Sequence, residues 1–169
     1  MSSEPPRWTS PGDLAALGLT AVVIVAADQA TKALVVAGMR VGERIEVIGD
    51  LVMLWHVQNT GGAFSLLPGS LPLFYAVTVV ALVMIAWFHR SMLGRGLWLH
   101  VVLGMVLGGT IGNLIDRVRQ GYVTDFVSMG FGETRFPTYN VADASLVVGI
   151  LVLVAYLTFA DSRPREVRA

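Results

Sequence analysis

Residues 71–88 read LPLFYAVTVVALVMIAWF, an apolar run without a charged side chain. The hydrocarbon core of a bilayer takes roughly 20 mostly apolar residues per helix. The run is therefore predicted to span a membrane. Outward from it, residues 97–115 read LWLHVVLGMVLGGTIGNLI and residues 141–160 read VADASLVVGILVLVAYLTFA. Nearer the N-terminus, LAALGLTAVVIVAA begins at Leu14, reaches Asp28 and continues as QATKALVV. Four transmembrane helices are expected, at about 14–35, 71–88, 97–116 and 141–160, and the chain 1–169 is read as a single integral-membrane domain.

Composition supports this class. Only 14% of residues are charged and 54% are hydrophobic, whereas soluble domains carry about 25% charged residues. A soluble chain of this size has no interior large enough for four helices that are apolar all round. A cleaved signal peptide does not describe the first run. The run is long, no Ala-x-Ala site closes it, and Asp28 and Lys32 stand where cleavage would fall. The formal net charge is zero, so no basic field points to nucleic acid. Without cysteine there is no disulfide, no thiolate zinc site and no thiol nucleophile. Lys32 is the single lysine, and His56, His89 and His100 are the only histidines.

Four spans put both termini on one side. The connection HRSMLGRG holds Arg90 and Arg95 without an acid, and the C-terminal tail holds Arg163, Arg165 and Arg168. By the positive-inside rule these are cytoplasmic. Arg40, Arg44, Arg117, Arg119 and Arg135 then fall outside. Of the two outside connections, residues 37–70 carry strand signals, RIEVI and LVMLWHVQ, around a Gly49-Asp50 hairpin turn. Residues 117–140 read as a polar loop with Gly121, Gly130, Gly132 and Pro137. The expected fold is an all-α polytopic membrane protein, with four transmembrane helices and a small extracytoplasmic β-structured loop.

Ionisable groups at membrane depth are costly and mark function by default. Asp28 and Lys32, at i and i+4, read as an ion pair at the edge of a site. Asn113, Asp116 and Arg117 share one helical face, and Gly104, Gly108 and Gly112 repeat every four residues, which admits a close neighbouring helix. Asp125 lies in GYVTDF and Asp143 in YNVADA. Singly, the first reads as a loop carboxylate and the second as an N-cap. Together they are brought to one depth, because the chain leaves and re-enters the membrane between them. Two adjacent carboxylates resist double ionisation, and a singly protonated pair suits general acid–base attack of water on an amide. Asn59, before Thr60-Gly61-Gly62, reads on its own as part of a turn.

The ordered set DQATK (28–32), NTGGAF (59–64), GNLIDR (112–117), VTDF (123–126) and NVAD (140–143) resembles the lipoprotein signal peptidases, the signal peptidase II family. The resemblance implies an aspartic endopeptidase with Asp125 and Asp143 as catalytic pair. It implies site positions at Asp28, Lys32, Asn59, Gly61, Asn113, Asp116, Arg117 and Asn140. The implied substrate is a bacterial prolipoprotein whose cysteine carries a diacylglyceryl group, cut just before that cysteine. The family acts in the cytoplasmic (inner) membrane with its site near the outer face, and the resemblance implies no metal and no cofactor. Ala144 and Gly62 depart from the commoner Ser and Ala, and neither removes a titratable group. Membrane lipid is an expected partner, nucleic acid is not, and a monomer is expected.

Two alternatives stand against this reading. A serine–lysine membrane peptidase would use Lys32 as base and Ser65 as nucleophile, but Asp28 beside Lys32 favours a charged ammonium. A small ion or proton transporter would string Asp28, Asp116, Asp125 and Asp143 along a path, yet these acids gather toward one face. No HExxH motif supports a metallopeptidase.

Overall fold

A computed structural model of the chain describes residues 10–61, 71–91 and 96–160. Gly62, Ser65 and the rest of 62–70, Arg95, and the tail arginines Arg163, Arg165 and Arg168 lie outside the described residues. Four helices are long and apolar enough to cross a membrane. They are α1 (Pro11–Gly38), α2 (Leu71–Ser91), α3 (Leu97–Gln120) and α4 (Val141–Ala160). α1 begins earlier than the apolar run because Ser10 caps it, its Oγ accepting from Asp13 N at 3.0 Å, with Pro11 in the first turn. α3 runs past residue 116 to Gly121, whose φ of 80° closes the helix with an N–H to Arg117 O at 3.1 Å. Helical backbone outlasts the apolar segment at both places, so hydropathy alone stops short.

α3 is the buried helix at the centre. Glycines let its neighbours approach in a fixed order. Gly104 meets Leu17 and Thr20, Gly108 meets Ala21 and Ile24, and Gly112 meets Asp28. Numbers rise together, so α1 and α3 run parallel. Gly109 lies against Ala142, Ser145 and Leu146, while Gly149 lies against Val102 and Val106, so α4 runs antiparallel to α3. Tyr75 contacts Arg117 and His89 contacts His100, so α2 is antiparallel too. Residues 10 and 160 therefore share one end of the bundle. The other faces of α1, α2 and α4 expose Val22, Val80, Leu151 and similar side chains, as lipid-facing surfaces do.

At the opposite end the α1–α2 and α3–α4 connections join one four-stranded antiparallel sheet, ordered β1-β2-β3-β4. Its strands are β1 (Arg44–Ile48), β2 (Val52–Asn59), β3 (Val123–Phe131) and β4 (Thr134–Arg135). The Gly49-Asp50 hairpin is present between β1 and β2. The stretch 117–140, expected as a polar loop, instead ends α3 and supplies β3 and β4. Residues 123–126 of β3 are buried on both faces, which removes the alternation that would have signalled a strand. Asp50 ties the two hairpins together. Its Oδ1 pairs with Arg135 Nη1 at 3.0 Å, and its carboxylate also accepts Gly132 N–H.

Candidate active site

The site forms where α4 starts, α3 ends and β2 pairs with β3. Tyr139 bridges to Val127, with N–H···O bonds of 3.0 and 2.8 Å, and so sets Asn140 beside Asp125 on β3. Asn140 and Asp143 then close α4 as a reciprocal capping box. Asp143 N donates to Asn140 Oδ1 at 2.9 Å, and Asn140 N donates to Asp143 Oδ2 at 3.2 Å. The N-cap is thus Asn140, correcting the reading of Asp143 in that role. Asp28, from α1, accepts Ala142 N at 3.0 Å and satisfies another free donor of the same turn.

Both candidate carboxylates are held by amides. Asp125 Oδ1 accepts Asn140 Nδ2 at 2.7 Å and its Oδ2 accepts Asn59 Nδ2 at 2.8 Å. Asp143 Oδ1 accepts Asn113 Nδ2 at 2.7 Å. Asn59 closes β2 and is itself oriented by Gly61 N, 2.9 Å from its Oδ1. Asp125 is 1% exposed. Burial first, and then the charge of Asp143, push its carboxyl up to about 7, against the donors Asn59 and Asn140 and the charge of Lys32.

Behind the pair lies a buried ionic cluster. Lys32 Nζ reaches Asp28 Oδ2 at 2.8 Å, Asp116 Oδ2 at 3.0 Å and Asn113 Oδ1 at 3.0 Å. Those contacts use the ammonium's three donors. Asp116 also accepts Thr124 N at 3.0 Å, next to Asp125. The expected i, i+4 pair of Asp28 and Lys32 is present and extends to Asp116. Asp116 does not grip Arg117, which forms no ion pair among the described residues. Instead the Arg117 guanidinium lies 4.5 Å from the Phe74 ring centroid.

Asp125 and Asp143 line one cavity of about 570 Å³, with Asn59, Asn113 and Arg117. Met129, Phe136 and Leu146–Val148 add an apolar wall. A carboxylate pair with fixed donors beside an apolar chamber can activate water against a carbonyl carried on an apolar ligand. Gln29 escaped the sequence reading, although a polar amide at membrane depth signals a role. Its Nε2 donates to Asp116 Oδ1 at 2.9 Å and to Gly112 O at 3.2 Å. The histidines do not join the site. His89 and His100 meet at the other end of the bundle, where His100 Nδ1 lies 3.3 Å from Asp13. Among the described residues no three His, Cys, Asp or Glu side chains could hold a metal ion.

Comparison with known proteins adds a family. The family model described as signal peptidase (SPase) II matches residues 20–159. A lipoprotein signal peptidase of Enterococcus faecalis is 40% identical over 148 residues, 88% of this chain and 91% of that protein. One from Listeria monocytogenes is 37% identical over 150 residues, 89% of this chain and 97% of that protein. A solved bacterial membrane enzyme superposes with a TM-score of 0.84 at 29% identity, covering 98% of this chain and 99% of its own.

Proposed function

The chain belongs to the signal peptidase II family, and from that premise we propose that it removes signal peptides from bacterial prolipoproteins as an aspartic endopeptidase. Asp125 and Asp143 are its catalytic pair. The observation that carries the reading is their meeting on one largely apolar cavity, joined through Asn140.

Asp125, raised to about 7, holds the shared proton. In this reading Asp143 takes the charged role, for which the start of α4 and the Asn113 and Asn140 donors are suited. Asp143 takes a proton from water as the water oxygen attacks the scissile carbonyl carbon. Asp125 gives its proton to the carbonyl oxygen. The tetrahedral diol then collapses: Asp125 recovers its proton from a hydroxyl, Asp143 passes its own to the leaving amine, and the C–N bond breaks. Both carboxyls return to their starting states, and no metal or cofactor is called on. The apolar wall suits the diacylglyceryl chains of a modified cysteine, and the family resemblance implies that the cut falls just before that residue. The enzyme works as a single-domain monomer among membrane lipids, with cytoplasmic termini and its site near the outer face.

Cleavage of a lipid-modified prolipoprotein by the purified enzyme tests this reading. Asp125→Asn and Asp143→Asn should each lower turnover by roughly 10²–10⁴-fold or abolish it, with membrane insertion intact. Near-normal turnover in either folded variant overturns the pair. The serine–lysine alternative meets Lys32 with all its donors engaged. The transporter alternative meets acids gathered at one end of the bundle.

A further inference from the structure

Arg117 is a half-buried cation facing two carboxylates, yet it is paired with neither. Its guanidinium rests on Phe74 instead, 4.5 Å from the ring centroid. The neighbouring Tyr75 donates its hydroxyl to Arg117 O at 3.2 Å. That carbonyl also accepts the Gly121 N–H that closes α3. Arg117 Nη1 adds a long bond to Asn113 O at 3.4 Å. The first turn of α2 thus fixes both the backbone and the side chain of this one residue. Aromatic faces attract guanidinium groups within about 6 Å, more strongly away from water.

We propose that Phe74 is a positioning residue that holds Arg117 off the carboxylate pair, so that the cation tunes the pair without entering a salt bridge with it. The inference rests on Asp125 and Asp143 acting as the acid–base pair. A bidentate Arg–carboxylate contact would lock one member in its charged form and remove it from proton transfer. A cation held at a distance lowers the cost of the one charge the pair must carry. Among the described residues, the other charged or titratable groups facing this corner are Asp116 on α3, Tyr75 on α2, and Lys32 and Asp28 on α1. Lys32, Asp28 and Asp116 are engaged with one another. Arg117 is therefore the cation free to move toward the pair once its ring support is lost.

The test is steady-state cleavage of a lipid-modified prolipopeptide against pH, with wild type, Phe74→Leu, Phe74→Tyr, Arg117→Ala and the Phe74→Leu/Arg117→Ala double variant. Phe74→Leu should lower kcat roughly 10- to 100-fold, leave KM nearly unchanged and move the alkaline limb to lower pH, because a paired guanidinium makes double ionisation easier. Arg117→Ala should move that limb to higher pH. Phe74→Tyr keeps the ring face and should behave as wild type, and the double variant should match Arg117→Ala alone. Phe74→Met, bulky but without a ring, gives the same reading should the Leu variant not accumulate. An unmoved limb in Phe74→Leu or Phe74→Met overturns the proposal. So does a Phe74→Tyr that falls with them, or a double variant whose losses multiply. An Asp125→Asn control with near-normal turnover would instead sink the acid–base pair, while the double variant would still report whether Phe74 acts through Arg117.

Discussion

Asn140 donates to Asp125 at 2.7 Å while its own side-chain oxygen, 2.9 Å from Asp143 N, caps the helix that carries Asp143. One amide therefore serves two separable tasks. Its nitrogen orients a carboxyl on a strand, and its oxygen starts a helix.

Asn140→Ala should remove both, costing about 1 kcal/mol for the lost cap and roughly 100-fold in kcat for a carboxyl no longer held in place. Asn140→Ser retains a capping oxygen. It should recover most of the thermal stability in detergent and little of the turnover. Equal recovery of both quantities would show that the amide's only task is to start the helix.

The raised carboxyl of Asp125 sets the sign of two pH effects. In the proposed mechanism the pair works with one proton, and burial beside Asp143 pushes the Asp125 carboxyl up to about 7. kcat/KM should therefore fall as pH rises through about 7. Folding follows the same direction. The folded state holds a proton that the unfolded chain releases at about the ordinary value of 3.8, so the unfolded state binds fewer protons between 3.8 and about 7. Stability from this group is then present at low pH and lost as pH rises through that window. Melting profiles of wild type and Asp125→Asn, compared at pH 5 and pH 8, should differ in slope. Parallel profiles would contradict the buried, protonated carboxyl.

Lys32 is 4% exposed and sits between two carboxylates that each fix a different part of the site. Asp28 holds the start of α4 through Ala142, and Asp116 holds the start of β3 through Thr124. Lys32→Met leaves both acids buried without their cation, a loss of about 3–5 kcal/mol. The variant should accumulate poorly and melt well below wild type in detergent. Wild-type melting would mean that the cluster does not hold the two segments together.

Much of this was legible in the residues. The four spans follow from hydropathy, and the β1–β2 hairpin follows from Gly49-Asp50. Asp28, Lys32, Asn113, Asp116, Asn140 and Asp143 do converge, because polar groups near a bilayer seek one another. What stayed hidden depends on distant pairing. β3 meets β2 with Asp125 opposite Val57, a register no local pattern encodes. The partner of Asp116 is likewise not local: Lys32, on another helix, reaches its Oδ2 at 3.0 Å. Phe74 reads as one more apolar residue of a span until α2 is packed against the end of α3.

Gly109 gives the most direct test of how closely the helices must approach. It lies outside the four-residue glycine repeat seen in the sequence, and it faces α4, while Gly104 and Gly108 face α1. A Cβ there would collide with Ala142 O and stand 2.7 Å from Ser145 Oγ. Ala142 O is backbone, in the first turn of α4, so relief requires moving the helix and not a side chain. That turn carries Asp143. Gly109→Ala should therefore cost about 1–3 kcal/mol through overpacking and lower turnover further by shifting Asp143 away from Asn113. Gly18→Ala is the matched control: beyond the backbone of its own helix turn, the added Cβ meets no heavy atom within 4 Å. It should leave turnover unchanged and raise stability slightly, since alanine is the better helix former by about 0.5–1 kcal/mol. Melting temperature and kcat measured on both variants in the same detergent decide the matter. A Gly109→Ala enzyme as stable and active as Gly18→Ala would mean that α4 does not approach α3 this closely in the working enzyme.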